Sequence, residues 1–108
     1  SPKREFVFVD DIVDACILLL NSRLSNDLLP INIGVGSDIS IKSLAEKICT
    51  IVGYSGEIEW DISKPDGVAR KLLDNGRIES IGWKSRTSLE KGLEKVYKWY
   101  LKNISQYS

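Results

Sequence analysis

Apolar residues along the chain fall into short runs and helical stripes, with polar turns between them. Phe6 to Val9 is a continuous β-favouring run, the pattern of a buried strand. Asp10 and Asp11 follow, and either carboxylate suits a helix start, as a cap or at the positive end of the dipole. Ile12, Ala15, Cys16, Leu19 and Leu20 then recur at helical spacing, and Val13, Ile17 and Leu18 widen the stripe. The spacing predicts a helix over 11–20, ending near Asn21. A helix apolar over so much of its circumference needs neighbours on more than one side. Residues 22–30 read as a loop. Ile31 to Ile33 read as a second short strand, closed by Gly34-Val35-Gly36.

The next helix is the clearest. Ser40 is a suitable cap, Ile41, Leu44, Ala45, Ile48, Cys49 and Val52 share one face, and Gly53 stops the helix. Residues 57–61 alternate as a half-buried strand does. Ser63-Lys64-Pro65-Asp66-Gly67 is a turn, in which proline fixes φ, aspartate bonds its own backbone and glycine tolerates positive φ. Leu72 and Leu73 suggest a fourth extended piece, and Asp74 a cap for a short helix through Ile78 and Ile81, ended by Gly82. Thr87-Ser88-Leu89-Glu90 has the form of a capping box for the last helix. Gly92 lies on the apolar stripe of that helix. A glycine there costs about 1 kcal/mol against alanine, which points to a close approach of its backbone to a neighbour. Strands and helices alternate, so the fold class is α/β or α+β, with short strands and about four helices.

Composition narrows the chemistry. The chain has 108 residues, enough for one domain, and at 43% hydrophobic and 28% charged residues it is not of disordered type. A compact chain of this size buries about two thirds of its unfolded surface. Fifteen basic and 15 acidic residues cancel, which argues against a nucleic-acid partner. With no histidine, most zinc sites, a Ser-His-Asp triad and a Cys-His pair are excluded. Cys16 and Cys49 sit in apolar stretches and read as core thiols rather than as a reactive or bridged pair. The longest apolar run, Ala15 to Leu20, is far short of the roughly 20 residues of a membrane span. No targeting segment is visible, and a cytoplasmic location is the expectation. The chain begins at Ser1 and enters a strand-like run at once, as a fragment of a longer protein would.

Candidate sites are few. Gly34-Val35-Gly36 lacks the third glycine of a dinucleotide fingerprint, since position 39 is Ile39, and reads as a strand-to-helix turn. No tyrosine is followed four positions later by lysine, so a tyrosine–lysine proton-transfer pair is missing. Asp10, Asp11 and Asp14 cluster at a helix start, where capping and the dipole account for them without a metal. Lys64, Asp66, Arg70, Lys71 and Asp74 surround the Pro-Asp-Gly turn. Arginine and lysine together suit a diphosphate, and a carboxylate nearby suits sugar hydroxyls; a solvated loop with chance ion pairs is the alternative.

Arg4-Glu5-Phe6-Val7-Phe8-Val9-Asp10-Asp11, Ile31-Asn32-Ile33-Gly34-Val35-Gly36, the Lys64-Pro65-Asp66-Gly67 turn, Arg70-Lys71-Leu72-Leu73-Asp74 and Ile81-Gly82-Trp83 together resemble the extended short-chain dehydrogenases/reductases that act on nucleotide sugars. Within that family the series resembles the NADPH-dependent epimerase–reductases that make GDP-L-fucose, and the likeness runs through essentially the whole chain. Val68-Ala69 stands where the family often has Thr-Pro. The resemblance implies that residues 1–108 are a C-terminal substrate-binding region, cut from an enzyme whose N-terminal Rossmann domain carries the NADP(H) site and every catalytic residue. It implies that Arg4 and Lys71 contact the nucleotide diphosphate and that Asp66 contacts the substrate. It also implies a helix packed on the missing domain. Without that domain, an apolar patch around Ile12, Val13, Ile17 and Leu20 and assembly into a homo-oligomer are the expectations. Another NAD-dependent nucleotide-sugar epimerase or dehydratase, or a free-standing non-catalytic binding module, are the alternatives.

Overall fold

The computed structural model describes residues 2–22 and 30–106. Its elements run β1 (Lys3–Arg4), α1 (Val9–Asn21), β2 (Ile39–Ser40), α2 (Ile41–Val52), β3 (Arg70–Lys71), α3 (Gly76–Ser80) and α4 (Leu89–Asn103), with a 3₁₀ turn at Ile104–Gln106. The sheet order is β2-β1-β3, with β1 antiparallel to β2 and parallel to β3. The mixed α/β class and the four helices agree with the sequence pattern.

The strands do not. Residues 5–8 carry no strand, and neither do 31–33 or 57–61. The pairing segments are instead the two-residue pieces at Lys3–Arg4, Ile39–Ser40 and Arg70–Lys71, so the expected extended piece at Leu72 and Leu73 begins and ends two residues early. An apolar run becomes a strand only where another strand offers a ladder, and among the described residues these runs have none. Ile31 and Ile33 are half-buried against the core all the same. The loop expected over 22–30 lies almost wholly outside the described residues.

The start of α1 also departs from expectation. Phe8 occupies the N-cap position and no side chain caps the helix, although Asp10 and Asp11 lie in the first turn, where the dipole favours them. Asp11 turns away from its own helix. Its buried carboxylate accepts hydrogen bonds from the amides of Arg86 (3.2 Å) and Thr87 (3.0 Å) and from the hydroxyls of Ser85 (3.1 Å) and Thr87 (3.3 Å). Its backbone carbonyl accepts from the Trp83 indole at 3.1 Å. The single residue therefore fixes the whole 83–87 turn onto α1. Trp83, Ile78 and Ala15 form the buried core there, with Val7, Leu18 and Leu19 packed around it.

This engagement explains the shift in the cap of α4. Thr87 is held by Asp11, so Ser88 takes the N-cap and accepts from the Lys91 amide at 3.3 Å. Glu90, expected to close a capping box, pairs with Lys47 of α2 instead. α2 follows the sequence pattern closely: Ser40 accepts from the Ser43 amide at 3.1 Å, and Gly53 ends the helix at φ 75°. Asp74 accepts from the amide of Gly76, the first residue of α3, at 2.9 Å. Gly92 does bring the α4 backbone close to a neighbour, the Phe8 side chain. A methyl group there would lie 3.4 Å from the Phe8 ring, and Lys95 lies over that ring at 5.4 Å from its centroid.

The core is small for the chain. The accessible surface is 8500 Å², against about 6000 Å² for a compact monomer of this mass, and the radius of gyration is 17.0 Å, against about 13 Å. The expectation of two-thirds burial therefore fails. Val13 and Ile17 are half exposed and Leu20 is 84% exposed, so the open side of α1 falls where its broad stripe predicted; Ile12 is partly covered. A second apolar groove runs between α2 and α4, lined by Ile48, Val52, Val96 and Trp99 among others. Cys16 is exposed on α1, contrary to a core position, and Cys49 is half-buried; both are free thiols. Among the described residues no helix is long and apolar enough to cross a membrane.

Two outcomes follow from these contacts. Asp11→Ala removes the acceptor of four donors in a part-buried segment and is expected to lower stability by about 3 kcal/mol, since hydrogen bonds to a charged group are the strong ones. Urea unfolding followed by tryptophan fluorescence measures it, and a loss below about 1 kcal/mol contradicts the role given to Asp11. The second concerns acid. The hydrogen bond from Lys47, aided by its charge, holds the Glu90 carboxyl below the usual glutamate value. A lowered folded-state value means that the stabilisation is present above the unfolded-state pKa and lost as pH falls through the folded one. The stability difference between the wild-type chain and Lys47→Met is expected at neutral pH and should vanish in acid; a difference that persists unchanged would show the pair to be inert.

Candidate functional site

The three-stranded sheet brings together cations that are remote in sequence. Arg4 on β1 and Lys71 on β3 are register partners in a parallel pair, so their side chains leave the same face of the sheet. Arg4 is half-buried and Lys71 exposed. One Arg4 nitrogen, Nη1, donates to the Lys3 carbonyl at 2.7 Å. Among the described residues neither Arg4 nor Lys71 meets a carboxylate. Arg70 is different: its Nε donates to the largely buried Asp38 carboxylate at 2.5 Å, so that charge is already answered.

The turn falls at residues 62–63 rather than at Pro65-Asp66-Gly67, and Gly67 is not at positive φ; the Pro-Asp-Gly stretch instead passes close to Arg4. A methyl group on Gly67 would lie 3.4 Å from Arg4 Nη2. The turn is prepared by Asp61, whose carboxylate accepts from the Ser63 hydroxyl and from its amide at 3.0 Å; these bonds hold the Asp61 carboxyl below its usual value. Asp66 does not join the two cations. It is exposed and lines a neighbouring hollow of about 320 Å³ with Pro2, Ile41, Lys42 and Trp60, while Arg4 lines one of about 260 Å³ with Val35, Asp38 and Ile39 among others.

Two residues beside the pair were not singled out by sequence reasoning. Glu5 accepts through Oε2 from the amides of Val35 (2.8 Å) and Gly36 (2.7 Å), and through Oε1 from Leu73 at 3.3 Å. Asn75 is buried and donates through Nδ2 to the Gly34 carbonyl, while its Oδ1 has no partner among the described residues. The Gly34-Val35-Gly36 segment is thus a cradle for a carboxylate of the chain itself; it follows no strand and bends at Gly36 (φ 85°) on its way into β2, rather than linking a strand to a helix. A glycine at 34 was the one available signal, because a methyl group there would lie 2.5 Å from Glu5 Oε1. Asn75 stands out in the sequence only as the start of Asn75-Gly76-Arg77, which departs from the family's usual Val-Ser/Thr-Arg and reads as structural. Among the described residues no group of three acidic or cysteine side chains could hold a metal ion, and Asp11 is committed to the 85–87 turn.

The chain has relatives in both sequence and structure. It is 48% identical over 104 residues to GDP-L-fucose synthase 1 of Arabidopsis thaliana, covering 96% of this chain and 32% of that protein. Among solved structures it matches a GDP-6-OMe-4-keto-L-xylo-heptose reductase from C. jejuni with a TM-score of 0.86 and 34% identity, over 95% of this chain and 32% of the other. It also matches a GDP-mannoheptose C4 reductase from Campylobacter jejuni with NADP bound, with a TM-score of 0.78 and 38% identity, over 93% of this chain and 32% of the other. No protein-family model matches the chain. The chain spans about a third of the length of the curated relatives it matches. Over that third it is similar to GDP-L-fucose synthases, and its fold is that of the corresponding part of GDP-sugar reductases.

Proposed function

We propose that residues 1–108 are the C-terminal, nucleotide-sugar-binding region of an NADP-dependent enzyme that converts GDP-4-keto-6-deoxymannose to GDP-L-fucose. The observation that carries the reading is the Arg4–Lys71 pair: two cations in register on adjacent strands, free of carboxylates among the described residues, beside a third cation that is neutralised. The likeness to GDP-L-fucose synthases supports the choice of substrate.

In this reading the Arg4 fork takes two oxygens of the diphosphate and Lys71 adds a mobile point charge. Asp66, one turn away, accepts hydrogen bonds from sugar hydroxyls. The described residues offer no dinucleotide cradle, since the amides of Val35 and Gly36 already hold Glu5. In this reading NADP(H) is held by the preceding domain of the longer enzyme, which also supplies the proton and hydride chemistry, and the present chain binds and orients. That domain, or a second copy in a homo-oligomer, covers the open side of α1 at Val13, Ile17 and Leu20. The enzyme acts in the cytoplasm.

Calorimetric titration of the longer enzyme with GDP, GDP-sugars and UDP-sugars tests the reading. Guanosine compounds are expected to bind and to compete with one another; binding of UDP-sugars alone would point to a different nucleotide-sugar epimerase. Arg4→Ala or Lys71→Ala is expected to raise KM for the nucleotide sugar by about 10- to 150-fold, the usual loss for a charge-assisted contact, with KM for NADPH unchanged. Arg70→Ala, whose charge Asp38 already answers, should change the sugar KM little. An equal loss of cofactor affinity in the Arg4 or Lys71 variants would move the pair to the other ligand. The purified 108 residues alone should oxidise no NADPH, and turnover above a denatured control would refute that.

A further inference from the structure

We infer that Glu5 is the positioning residue of the phosphate-binding pair, fixing Arg4 and Lys71 in register and keeping both cations unpaired. The inference rests on the reading of that pair given above. β1 and β3 have two residues each, too few to hold a register by their own ladder. Their shared edge is tied at one end by the Lys3 amide on the Ala69 carbonyl, at 2.8 Å. Glu5 ties the other end. Its Oε1 accepts from Leu73, two residues past Lys71, and its Oε2 accepts from Val35 and Gly36, in the segment that leads into β2. One side chain thus joins the approaches to both outer strands to the strand between them. A slip of one residue along this edge would turn Lys71 to the opposite face, away from Arg4.

The same bonds settle the electrostatics. A carboxylate adjacent to Arg4 in sequence would ordinarily pair with a nearby cation and blunt it for an anionic ligand. Here both oxygens are engaged by backbone amides, which satisfy the negative charge without neutralising either side chain. Gly34 makes the arrangement possible. Its φ is not in the positive region, so alanine would be tolerated by the backbone, yet an added methyl would lie 2.5 Å from Oε1 and 2.7 Å from the carboxyl carbon. Glycine at 34 leaves the space that the Glu5 carboxylate occupies, and a methyl group there would displace that carboxylate rather than the backbone.

The test is kinetic, in the longer enzyme, with Arg4→Ala and Lys71→Ala run alongside. Glu5→Ala is expected to raise KM for the nucleotide sugar about tenfold or more, with KM for NADPH unchanged and kcat at saturating sugar little altered. Gly34→Ala should reproduce that shift from the other side of the contact. It should add almost nothing in the Glu5→Ala background, because the oxygen it displaces is gone. Glu5→Gln, which keeps one acceptor oxygen, should fall between wild type and Glu5→Ala. If Glu5→Ala folds too poorly to assay, Gly34→Ala and Glu5→Gln carry the same comparison. A sugar KM at the wild-type value in these variants, while Arg4→Ala and Lys71→Ala raise it, overturns the positioning role alone. A wild-type sugar KM in Arg4→Ala and Lys71→Ala overturns the reading of the pair itself. Equal effects of Glu5→Ala on both substrates' KM and on kcat would reduce Glu5 to a general structural role and overturn the inference.

Discussion

A buried carboxylate surrounded by hydrogen-bond donors from another part of the chain is the constraint on which this fold depends. Asp11 gathers the 85–87 turn by its side chain and Trp83 by its carbonyl, and the small apolar core at Ala15, Ile78 and Trp83 is assembled beneath it. Apolar burial is scarce here, because much of the apolar surface remains open to solvent. Charge-assisted bonds to fixed backbone amides supply long-range order that a larger core would otherwise give. Glu5 repeats the device on the other side of the Phe6–Phe8 stretch, with Val35, Gly36 and Leu73 in place of Arg86 and Thr87. In both cases an acidic residue takes the orphan donors of a turn.

How much of this was legible follows from where each signal resides. α2 could be read in full, because its stripe, its Ser40 cap and its Gly53 stop are all local. α4 was legible as a helix, but not its cap, because Thr87 has a second use 76 residues away in sequence. The strands were misplaced because an apolar run specifies a face to be buried, whereas a strand also needs a partner. Glu5 and Asn75 escaped notice because their partners are backbone groups, which every residue carries. Arg4 and Lys71 were drawn together by family likeness, with no periodicity to link them; only the parallel register gives that likeness a geometry.

Net charge conceals the same organisation. The chain balances 15 cations with 15 anions, yet the balance is uneven in space. Asp38 answers Arg70, Glu90 answers Lys47, and Glu5 answers backbone amides rather than either neighbouring cation. What remains around β1 and β3 is a local positive excess on a neutral molecule. Such a local excess is felt over about a Debye length, while the neutral molecule as a whole projects little long-range field.

The parallel pairing of β1 with β3 also bears on the order in which the chain assembles. Glu5 and Leu73 are separated by 68 positions, while α2 and α4 are built largely from contacts a few residues apart. Loop closure must be completed before so distant a contact returns any stabilisation, which makes it a late event in folding. The helices can therefore form while the edge between the first and third strands is still open. During synthesis the segment bearing Arg4 emerges well before the segment bearing Lys71. The face that carries both Arg4 and Lys71 is therefore complete only once the third strand has docked beside the first.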